Sequence, residues 1–99
     1  MLVATTEMTK LALMLIEAGI PFEMNYINIV GDTSPQIVAP NMANRVIDAV
    51  CHPYSYGGTR GLLEIMWNGL IEEVGDEVLG WLTAEQALSY FEAAVKGGE

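Results

Sequence analysis

Cysteine and cationic residues are nearly missing from this chain. Among 99 residues there is one Cys and one His, and four Lys or Arg stand against thirteen Asp or Glu, a formal charge of −9. A single cysteine, Cys51, excludes an intrachain disulfide and fits a thiol-reducing compartment. One His beside one Cys cannot supply the three or four ligands of a zinc site without help from carboxylates or a second subunit. Four scattered cations cannot build the basic stripe that nucleic acid requires, and they offer little to an anionic membrane surface. Long apolar runs are also missing. Leu11 to Ile16 is the longest near the start, far short of the roughly 20 residues of a membrane span, and no basic segment of a secretory signal precedes it. The expectation is a cytoplasmic protein with no membrane, no direct nucleic-acid partner, no cofactor and no metal.

What is present is apolar. At 52% hydrophobic and 17% charged residues, the chain is too hydrophobic for a disordered acidic tail. Its length fits one domain, residues 1–99. Met8, Leu11, Ala12, Leu15 and Ile16 recur at helical spacing. Thr5 or Thr6 can cap that helix, and Gly19-Ile20-Pro21 stops it. Leu13 and Met14 fall off the main face, so the helix is apolar over more than half its circumference: it is covered on two sides, or part of it meets a partner.

Phe22 to Val30 reads as a strand whose alternation changes phase, which predicts a bulge near Tyr26. Gly31 to Pro35 reads as a turn, and Gln36 to Ala39 as a short strand. Arg45 to His52 also fits a helical face, but its β-branched residues favour a strand. Leu62 to Trp67 is a strand with Leu63, Ile65 and Trp67 on one face and Leu62, Glu64 and Met66 on the other. An acidic link, Glu72 to Glu77, precedes a short extended piece from Val78 to Leu82. Thr83 and Gln86 form a capping-box pattern before a last helix. Ala84, Ala87, Leu88, Phe91, Ala94 and Val95 make its buried face, Glu92 pairs with Lys96, and Gly97 and Gly98 end it. The predicted fold is α+β: an N-terminal helix, an antiparallel sheet of three to four strands and a C-terminal helix, with both helices on one sheet face.

Catalytic patterns are weak. Cys51 and His52 are neighbours, and neighbours on a strand point to opposite faces. Asp48 and His52 share a strand face but lie roughly 13 Å apart. Glu64 sits between Leu62 and Met66, where desolvation would raise its pKa, but no second carboxylate is assigned near it. The chain is therefore not expected to be an enzyme.

The most ligand-like stretch is Tyr54-Ser55-Tyr56-Gly57-Gly58-Thr59-Arg60-Gly61. Its glycines permit close backbone approach and exposed N–H groups, its tyrosines offer flat faces, and Arg60 offers a fork for phosphate or carboxylate. Candidate ligand-binding residues are Tyr54, Ser55, Tyr56, Gly57, Gly58 and Arg60, with Arg45 and His52 beside them.

Five pieces of sequence carry a resemblance. They are E-A-G-I-P-F-E from Glu17, R-V-I-D-A-V-C-H from Arg45, S-Y-G-G from Ser55, G-L-L-E-I-M from Gly61 and V-L-G-W-L-T-A-E from Val78. In combination they make the chain resemble a group of small, mostly uncharacterised proteins encoded by phages and prophages of Gram-positive bacteria. The resemblance implies a phage origin and an accessory role, often one that counters host defence, and assigns no role to any residue. Three readings follow. The first is an oligomeric protein that sequesters a nucleotide-like host signalling ligand through the Tyr54–Arg60 loop without catalysis. The second is an acidic, nucleic-acid-mimicking inhibitor of a basic host protein, since residues 64–99 hold eight acids and one Lys, a net −7 of the −9. The third, and least supported, is a hydrolase using Glu64 or His52 as base.

Overall fold

A computed structural model describes residues 6–29 and 31–97; the expectations placed on Thr5, Val30 and Gly98 fall outside them. Helix α1 spans Glu7–Ala18. The Thr6 hydroxyl accepts the Thr9 N–H at 3.1 Å, which satisfies one open donor of the first turn. At the other end Gly19 takes the left-handed conformation, φ 70°, and the Ile20 N–H closes on the Leu15 carbonyl at 2.9 Å.

Five strands follow, β1 Glu23–Ile29, β2 Asp32–Ala39, β3 Ile47–Val50, β4 Leu63–Met66 and β5 Val78–Leu82. Their order across the sheet is their order in the chain, and every neighbouring pair is antiparallel. The α+β class stands, with one or two strands more than the sequence suggests. Pairing of β1 with β2 runs unbroken from Glu23↔Val38 to Ile29↔Asp32. The expected bulge at Tyr26 is therefore absent, and Asp32 to Pro35 is strand rather than turn. The apparent phase change has another cause: Met24 and Tyr26 lie on the helix-covered face yet stay exposed at its margin, while Asn25, Ile27 and Ile29 are half-buried on the other. Pro35 is tolerated because β3 meets β2 only from Gln36 onward. Strand β3 is also shorter than the predicted Arg45 to His52. An Asn41 side chain that accepts the Asn44 N–H at 2.8 Å makes a turn just before it, and Cys51 and His52 already belong to the next loop.

The bulge of this sheet sits in β5. Leu63 pairs with Leu82 and Ile65 with Leu79, so β5 holds one extra residue, and Trp81 adopts φ 62°. A 3₁₀ turn, Asn68–Leu70, leads into the one-turn helix α2, Ile71–Val74, which carries part of the acidic link. Helix α3, Ala84–Lys96, starts with the predicted capping box: the Gln86 N–H meets the Thr83 hydroxyl at 3.3 Å, and the Thr83 N–H meets Gln86 Oε1 at 2.9 Å.

Helices α1 and α3 share one core with one sheet face. Leu11 and Leu15 of α1 and Phe91 of α3 are fully buried with Ile37, Ile47, Leu63 and Ile65. Each such side chain contributes about 1.5–3 kcal/mol on burial. The two helices run parallel. Glu7 at the start of α1 bonds Ala84 at the start of α3, and Lys96 Nζ at the end of α3 reaches the Ala18 carbonyl at the end of α1, at 3.2 Å. Lys96 thus meets a helix C-terminus, where its charge is favourable, rather than the expected Glu92. The opposite sheet face, with Gln36, Val38, Asp48, Val50, Glu64 and Met66, has neither α1 nor α3 upon it.

Candidate functional site

The loop from Cys51 to Leu62 joins β3 to β4 and is tied from within. The His52 N–H donates to Ser55 Oγ at 2.9 Å, and that hydroxyl donates back to the His52 carbonyl at 2.8 Å. The Tyr54 N–H donates to His52 Nδ1 at 3.1 Å. His52 and Ser55 are thus brought together, and these bonds occupy the Ser55 hydroxyl and one nitrogen of His52. A Cβ on Gly58 would run into the His52 carbonyl and Ser55 Oγ, and one on Gly57 would press on the Trp81 backbone. The N–H groups of Gly58, Arg60, Gly61 and Leu62 all close turn bonds at 3.0 Å. The glycines serve close packing here, rather than the open row of donors that the sequence suggests.

Tyr56 is clamped from two sides. Its N–H donates to Glu64 Oε1 at 2.9 Å, and its carbonyl accepts the Trp81 N–H at 3.1 Å. Gly80 permits this approach, since a Cβ there would collide with Tyr56. Backbone is held and rings are left out: Tyr54, Tyr56 and Trp81 are 68%, 61% and 56% exposed. Arg60, also exposed, ends the 3₁₀ turn Gly58–Arg60 of the same loop. Trp81 is the member that sequence reasoning missed. The available signal was the Gly80-Trp81 pair inside an apolar run, since glycine within a strand marks a bulge or a close approach.

Arg45 is not brought to this loop. It precedes β3, and the loop follows β3, so the two lie at opposite ends of the β3–β4 pair. Arg45 Nη1 instead stands 3.6 Å from Asp48 Oδ2, at a cleft of about 190 Å³ that Met66, Trp67 and Glu77 also line. The Asp48 side chain is only 10% exposed. Burial pushes its pKa above the ordinary carboxylate value, nearby Glu64 pushes the same way, and Arg45 and Gln36 oppose. Gln36 is itself held by the Asn25 amide at 2.8 Å. Asp48 is the second carboxylate near Glu64 that the linear sequence does not reveal; cross-strand pairing of Val50 with Glu64 makes them neighbours.

Glu64 is engaged by the Tyr56 N–H. Burial pushes the Cys51 thiol up, away from a thiolate, and its Sγ faces the Gly58 carbonyl at 3.8 Å. Among the described residues, no three His, Cys, Asp or Glu side chains converge on one point, and no helix is long and apolar enough to cross a membrane. No protein-family model, curated protein or solved structure matches the chain.

Proposed function

We propose that the protein is a non-catalytic capture protein that holds a nucleotide-like ligand of a host signalling system, an accessory protein of phage type acting in the host cytoplasm to counter defence. One observation carries this reading: Tyr56 and Trp81 are joined backbone to backbone at 3.1 Å while both rings remain more than half exposed. Trp81 is held there at φ 62°, a conformation a bulky residue adopts only under constraint and one that concentrates at functional sites. Exposed rings on a fixed backbone suit stacking on a base, and Arg60 in the same loop suits a phosphate. The turn bonds of Ser55 and His52 keep the loop preorganised, which lowers the ordering cost of binding.

Titration of Trp fluorescence with cyclic dinucleotides and ADP-ribose derivatives tests the reading. The expected result is quenching that Trp81→Phe removes, and that Arg60→Ala weakens by roughly tenfold or more, the equivalent of about 1.5–3 kcal/mol for a hydrogen bond to a charged group. Ligand recovered intact after denaturation distinguishes capture from turnover. A flat signal across the panel overturns the proposal.

The inhibitor reading draws on a different observation: Glu72 and Glu73 of α2 and Asp76 and Glu77 just before β5 are all exposed in one short segment. It predicts a basic host protein that co-purifies at low salt and dissociates at high salt.

A further inference from the structure

The two edges of the sheet are built differently. The outer edge of β5 is guarded by its bulge and by Asp76 and Glu77 just before the strand. The outer edge of β1 has no bulge and a single charge, Glu23 at its first position. Its seven residues, E-M-N-Y-I-N-I, contain no proline, no lysine and no bulge, and the strand pairs on one side only. Tyr26 is 65% exposed on that strand, and Met24 is 42% exposed.

The flank of α1 above this edge is apolar as well. Glu7 marks the side of the helix that faces α3 through its bond to Ala84. At roughly 100° per residue, Ile16 lies about 180° from Glu7, with Thr9, Ala12 and Leu13 on the same flank. Thr9 and Ala12 line an apolar groove with Met8, Met24, Tyr26 and Pro35. Leu13 and Ile16 are 55% and 65% exposed on that flank. Edge, groove and helix flank form one continuous surface on the side of the molecule away from α3.

We propose that this surface is the interface of a two-fold homodimer in which β1 pairs antiparallel with β1 of a second copy. The sequence of the strand is self-complementary about Tyr26. With Tyr26 opposite its own copy, Met24 faces Asn28, Asn25 faces Ile27 and Glu23 faces Ile29, so all seven residues pair and no charge meets a like charge. A two-fold axis normal to the sheet keeps both α1 helices on the same face and brings their Leu13 and Ile16 flanks together over the paired tyrosines. Charge distribution selects a second copy as the occupant. Two chains of −9 repel, and this contact leaves β4, α2 and β5, with Glu64, Glu72, Glu73, Asp76 and Glu77, at the outer ends of a ten-stranded sheet.

Multi-angle light scattering and disulfide trapping test the proposal. Wild-type protein is expected at twice the 10.8 kDa chain mass, and Tyr26→Lys, which sets two ammonium groups face to face, at the single mass with an unchanged circular dichroism spectrum. Residues paired directly across antiparallel strands lie about 4.5–5.5 Å apart at Cα, within disulfide reach. Under copper–phenanthroline oxidation Tyr26→Cys therefore becomes a covalent dimer, while Asn28→Cys, which faces Met24, stays at the wild-type background set by Cys51. A wild-type mass of one chain overturns the proposal, and so does trapping at Asn28→Cys without trapping at Tyr26→Cys.

Discussion

The Glu7 carboxylate accepts the backbone N–H of Ala84 at 2.8 Å, across 77 residues of chain. One side chain in the first turn of α1 therefore satisfies an open donor in the first turn of α3 and adds negative charge where both helix dipoles are positive. That bond, followed by Lys10 at 3.0 Å, holds the Glu7 carboxyl below its ordinary value of 4.5. The stabilisation is complete above 4.5 and is lost as pH falls through the lower folded value. Glu7→Ala is expected to cost about 1 kcal/mol in urea unfolding at neutral pH. Glu7→Gln keeps an acceptor but flattens that part of the acid limb.

Asp48 has the opposite sign. Burial raises its pKa above the ordinary 3.8, so the folded protein binds this proton more tightly than the unfolded chain. Its contribution to stability is full below 3.8 and fades as pH rises through the higher folded value. Asp48→Asn should raise the melting temperature at neutral pH and remove that contribution. A fall in melting temperature would show that the Arg45 ion pair outweighs the burial cost.

Gly58 and Gly61 are needed for different reasons, and alanine separates them. At Gly58 a methyl collides with the His52 carbonyl and Ser55 Oγ; Gly58→Ala should cost about 2–3 kcal/mol and release the loop. At Gly61 there is open space but φ is 74°, and Gly61→Ala should cost about 1 kcal/mol with the loop intact. Chemical denaturation with proteolysis at the loop distinguishes the two outcomes.

Trp81→Asn tests strain against use. Asparagine tolerates φ 62° better than tryptophan, and the indole is more than half exposed, so thermal stability should rise by roughly 0.5–1 kcal/mol. Calorimetric ligand binding should fall. A variant that loses stability would place the value of this ring in packing.

The parts of the fold that sequence reveals are those set by local chemistry. Thr6, Gly19 and the Thr83–Gln86 box mark helix ends through bonds to residues three to five positions away, and the helix faces follow from spacing. The β1–β2 hairpin is harder, because a turn-like Gly31 to Pro35 composition is overridden by cross-strand pairing up to Asp32. The loop of the candidate site is visible from Tyr54 to Arg60. Its clamp is not, because Glu64 and Trp81 reach Tyr56 only through the register of β4 and β5. Arg45 is misplaced for the same reason: nearness in sequence to His52 hides the fact that β3 separates them.

A sheet whose spatial order repeats its chain order can assemble hairpin by hairpin as the polypeptide leaves the ribosome, each strand docking on the one just made. The core cannot close at that pace. Leu11 and Leu15 of the first helix share it with Phe91 of the last, so for most of synthesis one face of the growing sheet stays uncovered. Nascent chains stalled before α3 should therefore recruit chaperones strongly, and release should coincide with the emergence of Phe91.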